Sequence, residues 1–502
     1  MDRLAQRAAR APGKTAVRMA TDGRALSFAE LDRRADRIAR ALRGLGLAEG
    51  ATIGLLLDND LHVMEFWWGA RRAGLYYVPI STRLLAAEIA HMMRDSQAEL
   101  LIASATLADT AREVAQLVAP ETLRCLVTAP GPFDALLDYG GDKLAPPGRL
   151  VGRELIYSSG TTGRPRGIRR PLAPADLDEL PPLERRMREI YDYDEETVYL
   201  SVSPLYHATG RFLNRVVEAG GSVVILPRFD PVASLAAIER HRVTHSQWVP
   251  TMFTRLLDLP ERDRDRFDLS SHRAALHAAA PCPLAVKRAM LDWWGPILHE
   301  YYGGSENAGV TYIGAEEWLE RPGSVGRSIG GAIHILDERD QARELAPGEI
   351  GLITFEGGVP FRYTTEEGSA ETNSSPQGYT GYGDIGYVDG DGYLFISDRR
   401  DDLILTGGVN VYPKEVELVL EAHPAVREVA VVGLPDRDLG QRVAAFVSPN
   451  PRADDALADA LLQHCRAALS PIKCPRLIAF VDELPRNENG KLLKRVLRER
   501  FA

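Results

Sequence analysis

Cysteine is scarce: the 502 residues hold four, Cys125, Cys282, Cys465 and Cys474, too widely spaced for a zinc site and too sparse for a disulfide scaffold. They read as reduced core or surface thiols. Long apolar runs are missing as well. No stretch approaches the ~20 residues that span a bilayer, and the apolar segment at residues 75–80 reads as a buried strand. Residues 1–14 carry arginines and alanines without the continuous apolar run of a secretory signal, so the cytoplasm is the expected compartment. A basic excess is also lacking, since 60 Lys and Arg face 70 Asp and Glu for a net charge of −10. The two signs are interspersed, which excludes the electrostatic footprint of a general nucleic-acid binder. There is no internal repeat and no low-complexity tract. A small-molecule substrate is the class that remains, and no pattern in the chain points to one oligomeric state.

What is present is a chain too long for a single hydrophobic core, with 45% hydrophobic residues to fill two or more domains. Apolar, β-rich runs at residues 52–57, 100–103, 222–226 and 429–432 alternate with helical patterns at 29–45 and 234–241, which predicts an α/β fold built from βαβ units. Residues 368–383 and the turn Asp389-Gly390-Asp391-Gly392 read as loops. The charged run Asp398-Arg399-Arg400-Asp401-Asp402 follows, and beyond it about a hundred residues form a fresh mixture of strands and helices. That run is the candidate hinge between domains.

One segment carries chemistry outright. Leu155-Ile156-Tyr157 is a short strand that enters Ser158-Ser159-Gly160-Thr161-Thr162-Gly163-Arg164-Pro165-Arg166-Gly167. A loop so dense in hydroxyls and glycine can turn several N–H and O–H donors onto one anion, with Arg166 as counter-charge. It suits a polyphosphate. It lacks the Gly-Lys-Ser/Thr ending of a P-loop NTPase, which excludes that class.

This loop closely resembles the signature of the adenylate-forming superfamily, which includes acyl-CoA synthetases, luciferases and peptide-synthetase adenylation domains. Four further matches follow in the family's order: Ser203-Pro204-Leu205-Tyr206-His207, Tyr302-Gly303-Gly304-Ser305-Glu306, Tyr382-Gly383-Asp384 with the run at 398–402, and Pro485-Arg486-Asn487-Glu488-Asn489-Gly490-Lys491. The resemblance spans nearly the whole chain. It implies a large N-terminal domain of stacked α/β subdomains plus a small β-barrel (residues 1–398), a hinge (399–401) and a mobile, smaller α+β C-terminal domain (402–502). The activity implied is that of an acyl-CoA ligase, which activates a carboxylic acid as acyl-AMP and transfers the acyl group to CoA.

The same resemblance assigns roles. Ser158, Ser159, Gly160, Thr161, Thr162 and Arg166 would hold the phosphates of ATP. Ala279, Ala280, Glu300, Tyr301, Tyr302, Gly303 and Ser305 would surround the nucleotide, with Asp384 and Arg399 on the ribose, whose hydroxyls suit a carboxylate acceptor and guanidinium donors. Glu306 would bind Mg2+, a hard ion that takes one or two carboxylates plus phosphate oxygens. Lys491 would bring a mobile ammonium to the bridging oxygen of the developing acyl phosphate. His207 would gate the passage between carboxylate and thiol, and Gly407 and Gly408, in Thr406-Gly407-Gly408-Val409-Asn410-Val411-Tyr412-Pro413, would line a pantetheine tunnel where missing side chains leave room. Small residues at Ala278, Ala279, Gly303, Gly304, Ala308 and Gly309 imply space for a bulky acid, with Trp248 and Phe212 as pocket walls or core.

The sequence departs from the family at Arg166 and Ser305, where lysine and threonine are usual, and at Asp398 and Leu405, where many members carry glycine and lysine. These changes surround phosphate handling. They open a second reading, a ligase specialised in the thioesterification of preformed acyl-AMP. A third reading is a non-catalytic acyl- or nucleotide-binding protein, against which stands the retention of Glu306, Asp384, Arg399 and Lys491.

Overall fold

The computed structural model of the chain describes residues 2–118, 123–140, 149–158, 166–174, 180, 182–207, 210–358, 362–364, 375–399, 402–406, 409–450, 455–487 and 492–501. The strand at Thr52–Leu56 is buried along its whole length, as a run of Ile, Gly and Leu requires when both faces of a parallel sheet are covered. It lies at the centre of a five-stranded parallel sheet in the order Arg124–Val127, Ala98–Ala103, Thr52–Leu56, Tyr76–Pro79 and Arg153–Glu154. A nine-stranded sheet lies across from it, its central strands parallel and its edge strands antiparallel.

The helices Phe28–Gly44 and Leu61–Ala73 pack into the core shared by the two sheets. The first starts on a capping box, Ser27 accepting from Glu30 N–H while the Glu30 carboxylate accepts from Ser27 N–H, which satisfies orphan donors at both positions. The second ends on Gly74 at φ 73°, the left-handed position that glycine fills without strain. Gly69 lets the pair close, because a Cβ there would lie 2.8 Å from Ile38 Cβ.

The next layer is antiparallel: a four-stranded sheet of Ile333–Leu336, Gly351–Phe355, Asp384–Val388 and Leu394–Arg399. Strand membership changes after Arg399. From Ile404 onward the chain builds its own sheet on the long hairpin Val426–Asp436 and Gly440–Pro449, covered by the helices Pro413–Glu421, Asp455–Ala468 and Lys494–Phe501. No helix among the described residues is long and apolar enough to cross a membrane. The four cysteines form no disulfide.

Four strands of the larger sheet run parallel and side by side: Val198–Ser201, His245–Trp248, Ala274–His277 and Leu298–Gly303. Their carboxyl ends therefore share one edge, where open α/β sheets bind ligands. The segments that leave that edge carry His207, Ala278 to Ala280, and Ser305 with Glu306.

Candidate active site

The hydroxyl-rich loop is held by its two stems. Strand Ile156–Ser158 pairs antiparallel with Arg166–Arg169, Ser158 opposite Arg166 and Tyr157 opposite Gly167. Ser159, Gly160, Thr161 and Thr162 lie outside the described residues, as does the side chain of Ser158. The Tyr157 hydroxyl donates to Asp95 Oδ2 at 2.5 Å, Thr364 Oγ1 bonds the same carboxylate, and Gly167 N–H donates to Thr364 Oγ1 at 3.0 Å. Burial and the neighbouring Asp95 push the Tyr157 phenol up, so it remains a donor. Sequence reasoning missed Asp95 and Thr364, which no local pattern links to the loop.

Alternation along Leu298–Gly303 sorts the next motif. His299 and Tyr301 face the core: Tyr199 donates to Gln247 Oε1 at 3.0 Å, Gln247 Nε2 donates to the Tyr301 hydroxyl at 2.6 Å, and the Tyr301 ring lies 5.5 Å from Phe212. Glu300 and Tyr302 face the other way. The Tyr302 hydroxyl donates to Asp384 Oδ2 at 2.6 Å, and Asp384 stands opposite Arg399 across the strand pair. The structure thus brings together the residues expected at adenine and at ribose. Gly304 is tightly placed, because a Cβ would sit 2.5 Å from the Tyr382 ring and 2.8 Å from Glu306 Oε2. Gly309 is likewise covered by the Phe355 ring. The room expected from these two glycines is filled by Tyr382 and Phe355.

Glu300 was expected at the nucleotide, yet its carboxylate is engaged elsewhere. Lys287 Nζ donates to Glu300 Oε2 at 2.5 Å, and the two side chains are 1% and 9% exposed. Lys287 also lies 4.5 Å from the Trp318 ring. His277 approaches the same oxygen at 3.6 Å, and neither of its ring nitrogens has a hydrogen-bond partner among the described residues. Burial pushes the Glu300 carboxyl up, with Lys287 only partly offsetting it. This cluster underlies the turn that starts at Ala278.

Within that turn Ala279 has φ +76°, and Asn307, after Glu306, has φ +58°. Left-handed backbone at a residue with a Cβ is costly, and such strain gathers where function fixes the chain. Replacing Ala279 by glycine should raise stability by about 1 kcal/mol, the left-handed penalty less the added chain entropy of glycine. Thermal melting tests this; an unchanged or lower midpoint would show that Ala279 is unstrained.

His207 follows Ser203-Pro204-Leu205-Tyr206 at the same edge, its ring 4.4 Å from that of Tyr206. Burial first, and Arg83 second, push it down to about 4, so the imidazole is neutral near pH 7. It borders a small pocket with Trp67, Tyr77, Glu154 and Asn214 among the other walls. Phe212 packs in the aromatic cluster with Tyr191 and Tyr301. Trp248 is fully buried against Phe253 and Trp294, its indole N–H bonded to Ser246 Oγ, and belongs to the core.

Of the remaining expectations, Lys491, Gly407, Gly408, Asp401 and the side chain of Arg399 lie outside the described residues. Asp398 is engaged by the C-terminal helices. Its Oδ2 accepts from Lys414 N–H at 2.8 Å, and Lys494 Nζ stands 4.0 Å from Oδ1. Leu405 extends its side chain into water, while its N–H donates to Gln441 Oε1 at 2.9 Å. Among the described residues no three His, Cys, Asp or Glu side chains converge as a metal site. A single carboxylate such as Glu306 fits a magnesium ion that draws its other ligands from phosphate and water.

A family described as AMP-binding enzyme matches residues 4–362, and one described as AMP-binding enzyme C-terminal domain matches residues 415–491. A feruloyl-CoA synthase from an Amycolatopsis species is 34% identical over 99% of this chain and 98% of its own. ATP-bound MatB from Rhodopseudomonas palustris superposes with a TM-score of 0.86 at 28% identity, covering 100% of this chain and 98% of that one. Its apo form, at the same identity and covering 100% and 99%, gives 0.75, so the overall arrangement is nearer the ATP-bound form. The chain belongs to the AMP-binding enzyme family, as an acid–thiol ligase that makes acyl-CoA through acyl-AMP.

Proposed function

We propose that the acid is aromatic and carries a hydrogen-bonding ring substituent, and that the residues gathered at the carboxyl edge of the large sheet activate it. The observation that carries the acyl assignment is the likeness to feruloyl-CoA synthase, 34% identical over 99% of this chain. The Tyr199–Gln247–Tyr301 relay beside Phe212 is a polar chain among buried aromatic rings, and its partly buried end, the Tyr301 hydroxyl, is the group we assign to a ring substituent. With four unbridged thiols, we place the enzyme in the reducing cytoplasm.

On this reading Tyr302 and Asp384, with Arg399, hold adenosine, while the loop at 158–167 and Arg166 hold the phosphates. Glu306 would hold Mg2+, which when bound neutralises phosphate charge. Lys491 adds an ammonium as the carboxylate attacks the α-phosphate, where two anions must otherwise repel. Neutral His207 closes the acyl site until the thiol arrives; a mixed anhydride has a good leaving group and needs no strong base. Residues 399–401 serve as the hinge that exchanges Lys491 for the segment 406–413, which carries Gly407 and Gly408. Among the departures that open the thioesterification reading, Asp398 has its charge offset in the present orientation by Lys494 and a helix N-terminus.

CoA thioester formation from a panel of octanoate, benzoate, cinnamate and hydroxycinnamates, with the parent and Lys491→Ala, tests this. Hydroxycinnamates should exceed octanoate in kcat/KM by about tenfold, the effect of roughly 1.4 kcal/mol at the transition state. Lys491→Ala should lose ATP–pyrophosphate exchange yet still convert supplied acyl-AMP and CoA. A preference for octanoate would overturn the acyl assignment, and equal loss of both partial reactions would overturn the role of Lys491.

A further inference from the structure

The helix Pro413–Glu421 begins without a capping side chain of its own: Tyr412 is the N-cap residue and makes no side-chain bond to it. Its first turn therefore presents orphan N–H groups. One of them, Lys414 N–H, donates to Asp398 Oδ2 at 2.8 Å. Asp398 belongs to Leu394–Arg399, the last strand before the change of sheets, so the cap comes from the other side of the hinge. A carboxylate at a helix N-terminus is doubly favourable, as acceptor and as anion.

The other oxygen of Asp398 faces Lys494 Nζ at 4.0 Å. Lys494 opens the last helix, three residues beyond Lys491, and bonds Glu417 Oε1 at 2.9 Å. Glu417 in turn accepts from Val431 N–H at 2.9 Å. Side-chain exposures are 6% for Asp398, 12% for Lys494 and 8% for Glu417, so the contacts are shielded from solvent and little screened. Burial would pull the Lys494 ammonium down, but Glu417, then Asp398 and Asp402, hold it above its ordinary value. Asp402, on the far side of the hinge, is bound to Arg498 of the same helix at 2.5 Å.

Asp398 and Asp402 thus both engage the last helix from opposite sides of residues 399–401, and Asp398 alone also caps Pro413–Glu421. When the C-terminal part turns about those residues, Asp402 travels with its partners. Asp398 cannot. It must leave both Lys414 N–H and Lys494, and both are restored only on return.

We propose that Asp398 is a positioning residue, a latch across the hinge that stabilises the present orientation of the C-terminal part and so sets the balance between acyl-AMP formation and acyl transfer to CoA. The proposal rests on the hinge assigned above. Asp398 reaches no substrate; it acts through the helix bearing Lys414 and through the segment between Lys491 and Lys494.

The test measures ATP–pyrophosphate exchange and acyl-AMP-dependent CoA consumption in full-length Asp398→Gly, Asp398→Asn, Asp398→Glu and Lys494→Gln. In Asp398→Gly and Lys494→Gln the ratio of the two rates should shift in the same direction by about fivefold or more, with KM for ATP and acid within about twofold of the parent. Asp398→Glu should restore most of the ratio and Asp398→Asn, which keeps an acceptor without charge, should fall between. A purely structural role would lower both rates by one factor, so a ratio unchanged in Asp398→Gly, or moved in opposite directions by Asp398→Gly and Lys494→Gln, would overturn the latch. Failure of the hinge itself is distinguishable, because Asp401→Pro would then leave both partial reactions unchanged.

Discussion

Replacing Lys287 by methionine should destabilise the enzyme by about 3–5 kcal/mol, because the change strands the Glu300 carboxylate in the interior. The pair is nearly sealed, with Lys287 1% and Glu300 9% exposed, and water has little access to the orphaned anion. Loss of the contact with Trp318 adds to the effect. Lys287→Met/Glu300→Met should recover most of the loss, since two apolar side chains of similar volume need no counter-charge. The single variant should also be least impaired at low pH, where Glu300 takes a proton and becomes neutral. Urea unfolding midpoints of the three proteins at pH 7 and 5 decide it. If Lys287→Met unfolds within about 1 kcal/mol of the parent, the pair carries no such weight. The consequence for function is local: the pair ties the helix Leu284–Trp294 to the strand Leu298–Gly303 beneath the turn at Ala279.

Mild acid should weaken the fold well before carboxylates titrate. Burial holds His207, His245 and His299 at about 4 and His272 at about 3, with His277 far below its ordinary value. In the unfolded chain each titrates near the usual value of about 6.5. As pH falls through that value the unfolded state binds protons that the folded state refuses, so stability is intact above about pH 6.5 and declines below it. One pH unit lower, each histidine removes up to about 1.4 kcal/mol. Their sum is comparable with the 5–15 kcal/mol, roughly, that holds a typical domain together. Melting temperature should fall steeply between pH 7 and 5, and His245→Gln should flatten the slope by removing one of the five sites. A level profile across that range would mean the histidines are charged in the folded state.

How much of this was legible beforehand follows from the range over which each interaction acts. The hydroxyl-rich loop and the charged run at 398–402 were readable because turn and charge patterns lie within a few residues of one another, whereas the Tyr302 to Glu306 motif was available through the resemblance. The apolar, β-rich runs that placed strands at 52–57 and 429–432 were readable for the same reason: Thr52–Leu56 and Val426–Asp436 occupy those places. Periodicity reports which face is apolar, but not which segment will cover it. That Tyr302 meets Asp384 was available only from the resemblance, since 82 residues separate them.

Other features had no sequence signal at all. Asp95 and Thr364 are 269 residues apart and meet only because the strand Arg166–Arg169 lies between Ile156–Ser158 and Arg362–Tyr363. Gly304 and Gly309 imply open space until the four-stranded sheet brings Tyr382 and Phe355 against them. Asp398 looked like a stray anion near phosphate, and the fold gives it a helix N-terminus and a buried ammonium instead. The sequence by itself determined the chemistry on offer and the order of its parts, since both reside in residue type and local spacing. Only the tertiary structure decided which charges neutralise one another and which vacancies survive packing, since burial and partner choice depend on surfaces that are adjacent only after the chain has folded.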